Sequence, residues 1–299
     1  MKVLVTGGAG FIGSHIADLL VEEGHQVIIV DNLVTGDQKF VPPNVKMYIL
    51  DILDKRLGDI FLAEKPEVII HQAAHVHVPT SLKDPLYDAR VNTLGTLNIL
   101  EFARRNNIQK IIYASSCAAY GEPTANLVKE SDKKEPVSPY GTSKWLSEHY
   151  LKLYHRIYQL DYTILRYANV YGPRQGQKGE GGVVSIFLQN MLNGKPPTIY
   201  GNGKQTRDFV YVKDVARANL LALNEGSKQV LNISTGIATS VNELYQTVNI
   251  LTGKKLVAEY QEKRAGDIEH ISLDPSLAKI HLKWEPQYTL NKGLLETIR

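Results

Sequence analysis

The stretch Lys2-Val3-Leu4-Val5-Thr6-Gly7-Gly8-Ala9-Gly10-Phe11-Ile12-Gly13 decides the fold. Its short apolar run predicts a strand, and an amphipathic helix is predicted to begin at about Phe11. Glycine permits a tight turn at Gly7, close approach of a pyrophosphate at Gly10 and close helix-to-strand packing at Gly13. The free N–H groups at the helix start would then bind phosphate. The stretch therefore predicts a dinucleotide-binding loop, with a plain glycine turn as the alternative.

The first two thirds of the chain alternate short apolar runs with longer helical patterns, which predicts parallel strands joined by crossover helices. A Rossmann-like, doubly wound α/β fold follows, with ligands beyond the carboxyl ends of the strands. After Tyr167 the sequence becomes rich in Gly and Pro, which indicates a smaller C-terminal α/β substrate domain. We expect an NAD-binding domain at 1–170, rejoined by about 207–232, and a substrate domain at 171–299. The predicted strands are Lys2–Thr6, Gln26–Val30, Val45–Leu50, Val68–His71, Lys110–Ser115 and Tyr162–Tyr167, and the predicted helices include Phe11–Glu23, Val91–Asn106 and Pro139–Tyr158.

Asp31 follows the second predicted strand, about 20 residues beyond the glycine loop. A carboxylate there accepts hydrogen bonds from the adenosine ribose hydroxyls and repels a 2′-phosphate, so the sequence favours NAD over NADP. The alternative is a strand-end Asp that only caps a turn. Asp51 and Ile52, at the end of the third strand, are weaker candidates for a contact with the adenine.

The segment Ser138-Pro139-Tyr140-Gly141-Thr142-Ser143-Lys144 has the pattern of a helix start, with Ser138 as the N-cap and Pro139 in the first turn. Tyr140 and Lys144 then lie one turn apart on the same face. A neighbouring ammonium and a nicotinamide cation favour the phenolate, so we expect them to pull the pKa of Tyr140 toward neutrality and to make it a catalytic base. The alternative is a partly buried Tyr beside a surface Lys.

A pair of serines follows the strand whose end is expected beside the nicotinamide, within Tyr113-Ala114-Ser115-Ser116-Cys117-Ala118-Ala119-Tyr120-Gly121. Strand alternation sends the side chains of Ser115 and Ser116 to opposite faces. We expect Ser116 to bridge the substrate and the phenol.

Together these residues resemble the extended short-chain dehydrogenase/reductase family, most closely the UDP-glucose 4-epimerase group of NAD-dependent epimerases and dehydratases and related nucleotide-sugar enzymes. The resemblance covers nearly the whole chain and rests on Thr6–Gly13, Asp31, His71–Ala74, Ser115–Gly121, Tyr140–Lys144, Arg207–Val215 and Arg264–Asp267. It implies that the cofactor lies against Gly7, Gly10, Phe11, Ile12, Gly13, Asp31, Asn32, Asp51 and Ile52, and its nicotinamide half near Gln72, Ala73, Ala74, Asn92, Tyr140, Lys144 and Tyr167. It implies that the sugar nucleotide lies against Ser116, Tyr140, Asn169, Val183, Val184, Ile199, Tyr200, Arg207, Arg264 and Asp267.

The resemblance implies NAD-dependent inversion at C4 of a UDP-hexose, such as UDP-glucose or UDP-galactose, through a 4-keto sugar, with Ser116, Tyr140 and Lys144 as catalytic residues. Relatives that dehydrate the sugar carry Thr-Asp-Glu after the catalytic hydroxyl, whereas this chain has Ser116-Cys117-Ala118. Elimination of water then lacks its acid and base. The alternatives are an epimerase of a UDP-N-acetylhexosamine or uronate, a dehydratase, a reductase, and a non-catalytic NAD-binding regulator. The resemblance also implies a homodimer through the two long helices Val91–Asn106 and Pro139–Tyr158.

Composition bears on other classes of function. The 34 Lys and Arg residues are scattered among 31 Asp and Glu, so a nucleic-acid partner is not indicated. No run approaches the roughly 20 apolar residues that cross a bilayer, and the N-terminal residues predict a strand rather than a signal peptide, so we expect a cytoplasmic protein. The single cysteine, Cys117, is expected to be a small buried side chain rather than a nucleophile. His71, His75 and His77 have spacings that zinc could use, but no carboxylate companion is expected nearby and no metal is expected.

Overall fold

The computed structural model describes residues 1–176, 181–263 and 268–298. Its strands are β1 (Lys2–Thr6), β2 (Gln26–Asp31), β3 (Lys46–Ile49), β4 (Val68–His71), β5 (Lys110–Ser116), β6 (Asp161–Tyr167), β7 (Asn169–Tyr171), β8 (Thr198–Tyr200), β9 (Thr206–Tyr211), β10 (Gln229–Ile233), β11 (Ala238–Ser240) and β12 (Glu259–Gln261). Its helices are α1 (Phe11–Glu22), α2 (Leu57–Glu64), α3 (Val78–Lys83), α4 (Pro85–Ala89), α5 (Gly95–Arg105), α6 (Pro139–Tyr158), α7 (Val183–Leu192), α8 (Val212–Leu221), α9 (Val241–Thr252), α10 (Ser276–Leu282) and α11 (Leu290–Ile298).

Within these ranges a parallel sheet of seven strands runs in the order β10-β6-β5-β4-β1-β2-β3. All six strands predicted from the sequence belong to it, with ends that differ by at most one residue. The reversal of strand order beside β1 puts the carboxyl ends of β1 and β4 next to each other, which is where a doubly wound sheet opens a binding crevice. The predicted fold class is confirmed.

Helices cover both faces of this sheet. Apolar side chains of α1, α8 and α10 pack on one face, and those of α2, α5 and α6 pack on the other. The two buried clusters are joined only through the sheet, whose strands are β-branched and apolar on both sides, as expected for buried parallel strands. The helix predicted at Val91–Asn106 is α5 preceded by a π-helical turn, Arg90–Leu94, that continues from α4.

The later part of the chain forms a second set of elements beyond the carboxyl edge of the large sheet. A three-stranded sheet has the order β11-β9-β7, and β12 pairs with β8. Side chains of α7, α9 and α11 pack with them in a third apolar cluster. Between these elements the chain returns to the large sheet, since α8 packs on α1 and β10 pairs with β6. The division into domains at 1–170 with 207–232 and at 171–299 stays a prediction.

None of the helices in the described ranges is both long enough and apolar enough to cross a membrane.

Candidate active site

The glycine loop closes tightly between β1 and α1. Gly7 has φ +70°, and its N–H donates to the carbonyl of Val30 at 2.8 Å. The Gly10 N–H donates to the Gly7 carbonyl at 3.1 Å, and α1 begins one residue later. A Cβ on Gly13 would lie 2.1 Å from the Gly7 carbonyl oxygen, so a side chain there cannot fit. The loop therefore leaves the N-terminus of α1 open at backbone level, which is the geometry that a pyrophosphate needs.

A cavity of about 550 Å³, the central cavity, extends from this loop across the carboxyl ends of the large sheet. Its walls include many of the residues singled out in the sequence: Gly7, Gly10, Phe11, Ile12, Gly13, Asp31, Asn32, Asp51, Ile52, Gln72, Ala73, Ala74, Ser116, Tyr140, Tyr167, Asn169 and Arg207. Other residues line the central cavity but were not predicted from the sequence to do so. They include Phe40, His75, Tyr87 and Arg174, which lie in segments without a recognisable motif.

Other predicted contacts lie away from the walls. Val184 and Ile199 are buried in the third apolar cluster, which Val183 also contacts. Tyr200, like Val183, is not among the lining residues of the central cavity. Arg264 and Asp267 lie outside the described residues. A role for these six residues in substrate binding stays a prediction.

Asp31 holds the loop as well as lining the central cavity. Its Oδ2 accepts from the Ala9 N–H at 3.0 Å, and its Oδ1 accepts from the Leu33 N–H at 2.8 Å. Asp31 thus caps the turn, as the alternative interpretation held. Its carboxylate has about four acceptor sites, so it can also accept hydrogen bonds from a ribose. Asn32 donates to Asp51 at 2.9 Å, which joins the ends of β2 and β3 along the same wall.

Helix α6 begins as the sequence predicted. The Ser138 side chain accepts from the Gly141 N–H at 3.1 Å and caps the helix, with Pro139 in the first turn. Tyr140 lies on the cavity wall, where its phenol is close enough to Ser116 for that hydroxyl to affect its pKa. Lys144 is buried one turn further on, where its Nζ donates to the Ala114 carbonyl at 2.9 Å and lies 5.1 Å from the centre of the Tyr113 ring.

Burial governs the ionisation of this pair in the protein alone. It raises the pKa of Tyr140 to about 12, and the Ser116 hydroxyl offsets this in part. Burial lowers the pKa of Lys144 to about 8. The expectation that Lys144 and a nicotinamide cation together pull the pKa of Tyr140 toward neutrality stays a prediction, and desolvation of the phenol is the effect that they must overcome. Further positive charge beside the phenol is needed before it can act as a base near neutral pH.

The two neighbouring serines separate as strand alternation requires. Ser116 faces Tyr140 and its Oγ also accepts from the Ala118 N–H at 3.1 Å. Ser115 instead donates to Glu148 at 2.6 Å. Glu148 in turn forms a buried ion pair with Arg166, 2.6 Å between Oε2 and the nearer guanidinium nitrogen.

Asn92 lies behind the wall rather than on it. Its Oδ1 accepts from the His75 N–H at 2.8 Å, and its Nδ2 donates to Asp88 and to Ser143, both at 3.1 Å. Its neighbour Val91 lines the central cavity. In this structure the Asn92 side chain supports the wall from behind, within the π-helical turn, and its contact with the cofactor stays a prediction.

The three histidines do not converge. His71 is hydrogen-bonded to Thr6 at 2.6 Å and to Thr96 at 3.1 Å, and burial lowers its pKa to about 3. His75 is paired with Asp88 at 3.1 Å, so the expectation of no nearby carboxylate was wrong, and His77 is paired with Thr80 at 2.7 Å. Among the described residues, no group of three His, Cys, Asp or Glu side chains could hold a metal ion.

Cys117 lies on the wall of the central cavity beside Ser116. Burial raises the pKa of its thiol to about 11, so the thiolate that a nucleophile requires is scarce at neutral pH.

Comparisons with known proteins agree with this geometry. A UDP-glucose 4-epimerase of Mycolicibacterium smegmatis is 38% identical over 305 residues, which cover 100% of this chain and 97% of the relative. A solved structure of the UDP-glucose 4-epimerase of Thermotoga maritima with UDP-glucose superposes with a TM-score of 0.98 at 44% identity, covering 100% of this chain and 97% of that one. A UDP-N-acetylglucosamine 4-epimerase of Methanobrevibacter ruminantium, solved with UDP-N-acetylmuramic acid, superposes with a TM-score of 0.94 at 37% identity, covering 99% and 96%.

The family model described as the NAD dependent epimerase/dehydratase family matches residues 3–234, which span every strand of the large sheet and the Ser116, Tyr140 and Lys144 side chains. The open glycine loop and the carboxylate at the end of β2 fit the NAD of that description. The chain therefore belongs to the NAD dependent epimerase/dehydratase family.

Proposed function

We propose that this protein is an isomerase that inverts C4 of a UDP-hexose, interconverting UDP-glucose and UDP-galactose through a 4-keto sugar. The observation that carries the proposal is that Ser116 and Tyr140 lie on the wall of the same cavity as the glycine loop, with the Ser116 hydroxyl close enough to the phenol to lower its pKa. The full-length similarity to UDP-glucose 4-epimerases supports the choice of substrate.

In the proposed reaction Tyr140 takes the proton of the 4-hydroxyl group and, after the keto sugar has turned over and its opposite face has received the hydride at C4, returns a proton to the 4-oxygen. Bound NAD would accept the C4 hydride and give it back, and its positive ring would favour the phenolate. Lys144, mostly protonated at neutral pH, adds a second positive charge one turn away. Ser116 donates to the reacting oxygen and keeps it beside the phenol. No external oxidant is needed, since each cycle restores the cofactor.

The walls also bear on elimination of water, the main competing chemistry in the family. Cys117 and Ala118, which follow the catalytic hydroxyl, line the central cavity but offer no carboxyl group. The carboxylates on the described walls are Asp31 and Asp51, at the ends of β2 and β3, which lie three and four strands away from β5. Neither is placed to act on C5 or C6 of a sugar held at Tyr140, so epimerisation is favoured over dehydration.

The first experiment follows purified protein by proton NMR with UDP-glucose and UDP-galactose in separate tubes, without added reductant. We expect both to reach one common ratio, and the Tyr140→Phe variant to leave both unchanged. If neither sugar changes, the proposed substrate is wrong, and the acetamido and uronate nucleotides are tested next. The relative solved with UDP-N-acetylmuramic acid makes an acetamido sugar the leading alternative. A failure with every sugar nucleotide, despite bound NAD, would favour a non-catalytic regulator.

We further propose a cytoplasmic homodimer. Large apolar side chains are exposed on or beside the two long helices: Leu94, Leu146, Ile157 and Tyr158 are 42–55% exposed. Burial of such a patch against a second copy would remove it from water. Sedimentation velocity should give a dimer, and Leu146→Glu with Leu94→Glu should give a monomer.

A further inference from the structure

Asp88 is a buried carboxylate that the proposed mechanism does not use. It lies in α4 and is 1% exposed. Its Oδ1 accepts from Asn92 and from the Nδ1 of His75, both at 3.1 Å, whereas its Oδ2 is buried and has no hydrogen-bond partner within the described ranges. A buried carboxylate is stabilised when positive charge lies close by. The two hydrogen bonds to Oδ1 leave Oδ2 without a partner among the described residues, so a nearby positive group would stabilise the charge.

The Asp88 network leads directly to the first turn of α6. Asn92 donates to the Oγ of Ser143 at 3.1 Å, and that Oγ donates to the Tyr140 carbonyl at 3.0 Å. Ser143 is the residue before Lys144. Asp88 is thus joined through two side chains to the backbone that carries both catalytic groups.

The backbone beside Asn92 has an unusual form. The π-helical turn Arg90–Leu94 follows α4 and turns Asn92 inward, where its amide bonds both the N–H and the carbonyl of His75. Such turns are uncommon and occur often at functional sites. Here the turn is what places the Asp88 network against α6 instead of against the central cavity.

We propose that Asp88 is the counter-charge of Lys144 and, through Asn92 and Ser143, a positioning residue for Tyr140, an inference that rests on the proposed roles of Tyr140 and Lys144.

Charges around the pair agree with this assignment. The Asp88 charge opposes the burial that lowers the pKa of Lys144, and it adds to the burial that raises the pKa of Tyr140. Two groups of β5 face Lys144, namely the Ala114 carbonyl and the Tyr113 ring. In β4, His71 is close enough for the Lys144 charge to lower the pKa of its ring. The other groups around Tyr140 are Ser116 and Cys117. Those around Asp88 are His75 and Tyr87, whose rings meet edge to face with centroids 5.3 Å apart.

Removal of the Asp88 charge should therefore lower the pKa of both catalytic groups. In the NAD-loaded enzyme, we expect Asp88→Asn to move both limbs of the profile of kcat/KM against pH to lower pH, by at least about half a unit. Asp88→Glu keeps the charge and should return the limbs toward their wild-type positions. Asp84→Asn is the matched control, because it removes an exposed carboxylate that caps the same helix, and its limbs should not move.

A second readout does not depend on turnover. Tyrosine labelled at the ring carbon that bears the hydroxyl reports ionisation by carbon NMR, and the signal of Tyr140 is the one that Tyr140→Phe removes. In the NAD-loaded protein we expect this signal to titrate at lower pH in Asp88→Asn than in the wild type. If Asp88→Asn does not fold, Asp88→Ser also removes the charge and makes the same prediction.

The outcomes are distinct. An active wild type with unmoved limbs and an unmoved Tyr140 titration in Asp88→Asn would overturn the inference and leave Asp88 a structural residue. An inactive wild type would instead overturn the proposed function, and the NMR titration would still decide the role of Asp88.

Discussion

The carbonyl oxygen of Gly7 occupies the place where Gly13 would carry a side chain, since a Cβ on Gly13 would lie 2.1 Å from it. Relief of that overlap requires the loop to move away from α1. We therefore expect Gly13→Ala to lower the free energy of unfolding by about 1–3 kcal/mol and to release NAD. In Gly10→Ala the new Cβ would meet the same oxygen at 3.2 Å, so we expect a smaller loss of stability. Thermal unfolding and the NAD content of the purified proteins check both; equal stability of the two variants would contradict the packing argument.

Tyr140→Phe removes the proposed base and keeps the ring. We expect turnover to fall by about 10²-fold to 10⁴-fold or more, while NAD stays bound. The control is Tyr150→Phe, which removes a hydroxyl from the same helix, at a ring packed on the buried face of the sheet. Initial rates and the absorbance of the bound cofactor are the measurements. A similar loss in both variants would show that helix packing, and not the phenol of Tyr140, had been tested.

His71 should make the protein less stable as the pH falls. Its pKa is about 3 in the folded protein, against an ordinary value of 6.5, so the unfolded chain binds the proton first. The stabilisation is complete above pH 6.5 and is lost as the pH falls toward 3, by about 1.4 kcal/mol per pH unit. The glutamine of the His71→Gln variant does not titrate. The free energy of unfolding of this variant should therefore fall less steeply than that of the wild type between pH 6.5 and 3. Urea unfolding at a series of pH values measures the two slopes. His15, whose pKa burial also lowers, contributes equally to both proteins; parallel slopes would therefore refute the assignment.

The ion pair of Glu148 and Arg166 lies inside the fold, with side-chain exposures of 0% and 2%. Arg166→Met should lower the free energy of unfolding by about 3–5 kcal/mol, because it leaves the Glu148 charge buried without a partner. The double variant Arg166→Met with Glu148→Leu removes both charges and should recover much of that loss. Urea denaturation of the single and double variants tests this. A double variant no more stable than the single one would mean that lost hydrogen bonds to Ser115 and Tyr120 dominate.

The features that could be predicted from the sequence are local ones. The glycine loop, the Ser138 cap and the spacing of Tyr140 and Lys144 each depend on a few consecutive residues, and strand alternation alone separates Ser115 from Ser116. The pairing of Asp88 with His75 joins two separate segments of the chain, and no sequence motif predicts it. Asn92 was placed near the nicotinamide by resemblance alone, and no local pattern predicted the π-helical turn that contains it. The pKa of Tyr140 depends on burial by distant elements, so a local pattern could give its position but not its ionisation.

The return of the chain to the large sheet has a consequence for synthesis. β10 completes the sheet beside β6, although the two are separated in sequence by β7, β8, β9, α7 and α8. On the ribosome, a nascent chain that already contains the glycine loop, Tyr140 and Lys144 but not yet β10 still presents an unpaired edge at β6. Open edges recruit other strands. Until residue 233 has emerged, we expect the chain to need protection from misassembly at this edge. Truncation anywhere before β10 should therefore yield aggregates and not a smaller cofactor-binding protein.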